Sequence, residues 1–81
     1  MIVSYVRQFE KLDLLLQDEV SEKIELLKHR SNHRALKAHK LHGQLKDCYS
    51  FSVNYRFRVV YEYLSQDEVV LLAIGDHEVY R

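Results

Sequence analysis

From Tyr49 to Tyr63 apolar and polar residues alternate: Tyr49, Phe51, Val53, Phe57, Val59, Tyr61 and Tyr63 are interleaved with Ser50, Ser52, Asn54, Arg56, Arg58 and Glu62. A period of two places the first set on one face of a pleated strand and the second on the other, so this half of the chain requires a sheet with one face covered. The run is too long for one ordinary strand. Asn54 is the residue within it that favours a turn, which predicts a hairpin broken there. "SQDE" supplies the next turn, and the nearly continuous apolar run "VVLLAI" predicts a strand that is central or covered on both faces.

Upstream the period changes. Phe9, Leu12, Leu15, Leu16, Val20, Ile24 and Leu27 recur at spacings of three to four, with acids toward the beginning and Lys28 and Arg30 at the end, as an amphipathic helix and its dipole favour. "IVSYV" before it is β-branched and aromatic and predicts a first strand. In "RSNH", Ser31 or Asn32 is an N-cap candidate for a second, shorter helix running to about Lys40, with Gly43 as its stop. The expected architecture is α+β in the order β-α-α-β-β-β, a helical hairpin packed on one face of a small, largely antiparallel sheet whose polar face stays open. Eighty-one residues, 47% apolar, with no proline and two glycines, suit a single domain over residues 1–81.

No stretch approaches the roughly 18 apolar residues of a membrane span, and "MIVSYVRQF" is too short and mixed for a signal peptide. A single cysteine, Cys48, excludes an intrachain disulfide and fits a reducing compartment, so a cytoplasmic protein without a membrane partner is expected. The formal net charge of zero conceals an asymmetry. From Lys28 to Arg58 eight lysines and arginines face one acid, Asp47, a local charge of +7 (8 − 1) before any of four histidines is protonated. Such a segment attracts a polyanion, because fields act within roughly 8 Å at physiological salt.

The sequence also brings chemistry to one surface. Counting across the last hairpin puts His77 opposite Arg56 or Tyr55, with Arg58 two residues further along and Tyr80 three residues after His77. Lys37, His39, Lys40 and Lys46 approach from the side, and Arg81 follows Tyr80. A histidine titrating near neutrality beside fixed guanidinium groups suits phosphodiester cleavage by an internal 2′-hydroxyl, which makes RNA the expected substrate. Tyr49, Tyr55, Tyr61 and Tyr63 fall on the apolar side of the alternation and are expected in the core. His29 and His33 have metal-ligand spacing, but a cap at 31 or 32 would divide them between helices, and His39, His42 and Cys48 lack supporting partners, so no metal and no cofactor is expected.

"KLHGQLKDCYSFSV", "RFRVVYEY" and "VVLLAIGDHEVYR" together resemble the RelE/StbE branch of the RelE-like toxins of bacterial type II toxin–antitoxin modules, over Leu36 to Arg81. The resemblance implies a RelE-like fold and a toxin that enters the ribosomal A site, cuts mRNA there without metal or cofactor, and is neutralised by a cognate antitoxin. The toxin alone would be a monomer, and a hetero-oligomer with its antitoxin. The resemblance also implies that Arg58 stabilises the phosphate and that His77 and Tyr80 handle protons or stack. His39 matches a histidine of YafQ-like relatives. Lys37, Lys40, Lys46, Arg56 and Arg81 would hold RNA. Some relatives carry two lysines where this chain has Ser50 and Ser52. Two other classes stay open: a non-enzymatic ParE-like poison of DNA gyrase, and a decayed toxin that only binds its antitoxin.

Overall fold

The computed structural model describes residues 2–43 and 47–76. The chain opens with helix α1, Ile2–Glu10, followed by α2, Leu14–Leu27. Residues 2–6 are therefore helical and not the expected strand. Ile2, Tyr5 and Phe9 already fall at the three- and four-residue spacing that continues through α2, and this periodicity outweighs the β-propensity of "IVSYV". The predicted first helix is in fact divided at Asp13, whose carboxylate accepts the Leu16 backbone N–H at 2.9 Å as the N-cap of α2. Gln17 fixes the corner by donating from Nε2 to the carbonyls of Phe9 and Leu12, both at 3.1 Å.

The second predicted helix is absent. Residues 30–32 form a single 3-10 turn, the chain turns on to Ala38, and His39–Lys40 forms a two-residue strand, β1. Neither Ser31 nor Asn32 caps a helix. Asn32 Nδ2 instead donates to Leu26 O at 3.0 Å and His33 Nε2 to Leu27 O at 2.7 Å, satisfying carbonyls at the end of α2. Helical turns end at Lys37, which has φ 58°, and Ala38 N donates back to His33 O at 2.9 Å.

Strands β2 (Tyr49–Ser52), β3 (Arg58–Tyr63) and β4 (Val69–Gly75) complete an antiparallel sheet of order β1-β2-β3-β4. The break falls at Asn54, as the alternation predicts: its side-chain oxygen accepts from the N–H groups of Arg56 and Phe57, each at 2.8 Å. Helices α1 and α2 cover the face carrying Phe51, Val59, Tyr61 and Ile74, with Val20 and Leu27 of α2 in the same core. The helical hairpin on an antiparallel sheet is the predicted fold class, reached with α1 in place of a first strand and β1 in place of a second helix.

Two expectations about the sheet change. β4 is an edge strand, not a central one, and α1 shields that edge: Ile74 N donates to Gln8 Oε1 at 2.8 Å, which satisfies an edge N–H without another strand. A register shift at Val60/Tyr61 leaves Leu72 without a partner between Leu71 and Ala73, so the apolar run of β4 serves both faces. The far face is not simply open, because Ser50 and Val60 are buried in the two central strands.

Candidate functional site

The pairing of strands decides which basic residues share a surface. His39 lies opposite Ser50 and Ser50 opposite Val60, while Ser52 lies opposite Arg58 and Arg58 opposite Gly75. These two neighbouring rows are on the face away from the core, so His39 and Arg58 stand on one surface with Ser52 beside the arginine. Two strand spacings across and two residues along separate their Cα atoms by roughly 12 Å.

Arg58 is half-buried, and its Nη1 donates to the carbonyls of Asn54 at 2.9 Å and Phe57 at 3.3 Å. The hairpin turn thus holds the guanidinium at the start of β3. His39 is exposed, and its Nδ1 is 2.8 Å from Lys37 O. A carbonyl can only accept, so Nδ1 carries the hydrogen and, in the neutral ring, Nε2 carries the lone pair. The sequence did not reveal this tautomer, because it depends on the tight turn at Lys37.

Lys37, Lys40 and Arg56 are exposed: Lys37 is at the left-handed turn, Lys40 follows His39 but lies opposite Tyr49 and so in the row of the other face, and Arg56 lies in the hairpin turn with its guanidinium 5.5 Å above the Phe57 ring. Lys46, His77, Tyr80 and Arg81 lie outside the described residues. Among the described residues, Lys28 is the only cation of the 28–58 segment in an ion pair, with Glu25 at 2.8 Å.

The tyrosines divide. Tyr61 is buried, Tyr49 and Tyr63 are half-buried in ring contact with it, and Tyr55, expected in the core, is 92% exposed. Tyr49 and Tyr63 also line a groove of about 590 Å³ with Arg30, His33, His39 and Lys40. Arg30 and His33 carry no local signal for this position, since the turn at residues 30–32 places them. Burial, then Glu62 and Asp47, push the Cys48 thiol up, which keeps it protonated and disfavours a role as nucleophile or ligand. Among the described residues no three histidine, cysteine, aspartate or glutamate side chains cluster as metal ligands.

Residues 2–79 match the family described as the ParE toxin of type II toxin–antitoxin system, parDE. The chain belongs to this family. The toxin is similar to the solution structure of the conserved hypothetical protein HP0894 from Helicobacter pylori, with 26% identity, 93% of this chain and 88% of that chain covered, and a TM-score of 0.61. A copper-bound mutant toxin from the same organism shares the fold at 20% identity, with 96% and 91% coverage and a TM-score of 0.64. No curated protein matches the sequence. Membership places the chain in the RelE/ParE superfamily and implies a cognate antitoxin as partner. Among the described residues no helix is long and apolar enough to cross a membrane.

Proposed function

We propose that this toxin is a cytoplasmic, ribosome-dependent mRNA endonuclease that needs no metal and arrests translation until its antitoxin binds. The observation that carries the proposal is the placement on one face of the sheet of Arg58, fixed by the hairpin turn, and His39, held in the tautomer that leaves the lone pair on Nε2. The substrate supplies its own nucleophile. His39 takes the proton of the 2′-hydroxyl, the O2′–P bond forms, and the P–O5′ bond breaks to leave a 2′,3′-cyclic phosphate and a 5′-hydroxyl.

Arg58 balances the negative charge that builds on the phosphate oxygens, a contribution of the kind whose removal costs about 10²- to 10³-fold in rate. His77 is proposed as the acid that protonates O5′; it follows by two residues Gly75, which pairs directly with Arg58. Tyr80 is proposed to stack on or orient the substrate, and Lys37, Lys40, Lys46, Arg56 and Arg81 to hold phosphates. The toxin alone is proposed to be monomeric and to form a hetero-oligomer with its antitoxin.

The test is induction without antitoxin of wild type, Arg58→Ala, His39→Ala and His77→Ala, with growth followed and mRNA 5′ ends mapped against reading frame. In-frame cuts in wild type that are lost in Arg58→Ala, His39→Ala and His77→Ala are expected. The family's description as ParE favours a second reading, non-enzymatic poisoning of DNA gyrase. Growth arrest without cuts, accompanied by DNA breaks, would support that reading, and harmless expression of wild type would indicate a toxin that only binds its antitoxin.

A further inference from the structure

Residues 55–58 read tyrosine, arginine, phenylalanine, arginine, and the two aromatic rings have opposite fates. Phe57 packs against the core, whereas Tyr55 is 92% exposed. A single exposed aromatic on a loose loop needs no explanation. This one stands on a braced turn.

Asn54 Oδ1 accepts from the N–H groups of Arg56 and Phe57, both at 2.8 Å, and Val53 N donates to Phe57 O at 3.0 Å. Arg58 Nη1 donates to Asn54 O at 2.9 Å, and Asn54 Nδ2 donates to Glu19 Oε1 at 3.2 Å, tying the tip to α2. Arg56 lies over the Phe57 ring at 5.5 Å. The phenol ring is therefore displayed from a backbone already ordered, on a turn that also carries two arginines. Much of the ordering cost of a contact there is met in the free protein.

We propose that Tyr55 is a stacking platform for a base of single-stranded RNA whose neighbouring phosphates are held by Arg56 and Arg58. The identity of the ligand as RNA rests on the endonuclease proposed above. An unpaired strand fits because its bases offer free faces to an aromatic ring, while cations track its backbone. Stacking uses the ring and not the hydroxyl, and it binds substrate without taking part in proton transfer.

Wild type, Tyr55→Ala and Tyr55→Phe are compared in two assays: binding to a short unstructured oligoribonucleotide, and single-turnover cleavage of mRNA on programmed ribosomes across a range of toxin concentrations. Tyr55→Ala is expected to weaken oligonucleotide binding and raise the half-saturating concentration about 5- to 150-fold, the range that base–aromatic stacking produces. Its maximal cleavage rate stays within about twofold of wild type and its melting temperature is unchanged, as an exposed side chain requires. Tyr55→Phe behaves as wild type.

Equal binding by wild type and Tyr55→Ala would overturn the proposal. So would a loss in Tyr55→Phe as large as in Tyr55→Ala, or a wild type that binds no RNA in either assay. RNA binding that depends on Tyr55 without any cleavage would instead overturn the endonuclease and leave the platform standing. Cleavage that depends on Arg58 but is indifferent to Tyr55→Ala would do the reverse.

Discussion

Ser50 and Phe51 are neighbours in β2, each fully shut off from solvent, and they belong to two different surfaces. Phe51 joins Val59, Tyr61 and Ile74 beneath the helices, where burial of apolar area is the only requirement. Ser50 lies in the row of His39 and Val60 on the other face, where a buried hydroxyl must have a partner, and among the described residues no buried side-chain polar atom lacks one. The difference is one of tolerance. The covered face decides whether the chain folds, and the far face decides what the folded chain can touch. Substitutions on one should therefore leave the observable of the other largely unchanged.

Phe51→Ala attacks the covered face at a residue with no exposure and should have the largest effect on stability, about 3–5 kcal/mol in urea unfolding, as large-to-small changes in cores do. That is a large share of the 5–15 kcal/mol typical of a domain. Under conditions where the variant remains folded, the cleavage or binding signal per folded molecule should match wild type. A folded Phe51→Ala with the activity of Arg58→Ala would break the separation of the two faces.

Tyr61 gives the covered face a signature in pH. Burial first, then Tyr63 through its charge and a hydrogen bond, then Tyr49, raise its phenol above the ordinary value of 10.0. In the unfolded chain the phenol loses its proton near the ordinary value, while the fold holds it neutral. The corresponding stability is present below pH 10 and is lost as pH climbs toward the raised folded value. Tyr61→Phe should cost about 1 kcal/mol at pH 8 through the lost hydrogen bond, and should show a shallower loss of stability than wild type between pH 9.5 and 11 in urea titrations.

On the far face Ser52 is half-buried and directly opposite Arg58. Ser52→Lys places like charges across a strand pair, which should cost about 0.2–1 kcal/mol of stability. The same cation adds a phosphate contact, so RNA affinity should rise and its salt dependence steepen. A gain of affinity with a slight loss of stability would sharpen the contrast with Phe51→Ala. Unchanged affinity would show that RNA does not pass this end of β2.

The faces were also unequally legible in the sequence. Counting by two from Tyr49 placed Arg58, Ser50 and Ser52 correctly, because alternation is a property of an extended chain and needs no tertiary information. The same count carried through the turn assigned Tyr55 to the core, since parity has no meaning where Asn54 folds the backbone back on itself. Residues 2–6 misled through β-branched composition. The strand at His39–Lys40 left almost no local trace, because two residues become a strand only by pairing with Ser50 and Tyr49. The tautomer of His39 is a further step removed, being set by a carbonyl that the turn at Lys37 presents.

Lys37 tests whether that turn trades stability for function. With φ 58° it occupies the left-handed region, where a residue other than glycine is strained by roughly 1 kcal/mol, while a glycine there is relaxed. Lys37→Gly should therefore leave stability unchanged or raise it by up to about 1 kcal/mol, the relief being offset in part by the greater freedom of glycine in the unfolded chain. The Lys37 carbonyl, and with it the bond to His39 Nδ1, belongs to the backbone and survives the substitution. Only the ammonium is removed. If Lys37 holds phosphate, Lys37→Gly should weaken RNA binding, with a salt slope lower by about one, while cleavage at saturation is kept. A more stable variant with undiminished affinity would make the lysine incidental and leave the turn's contribution to the site entirely with its carbonyl.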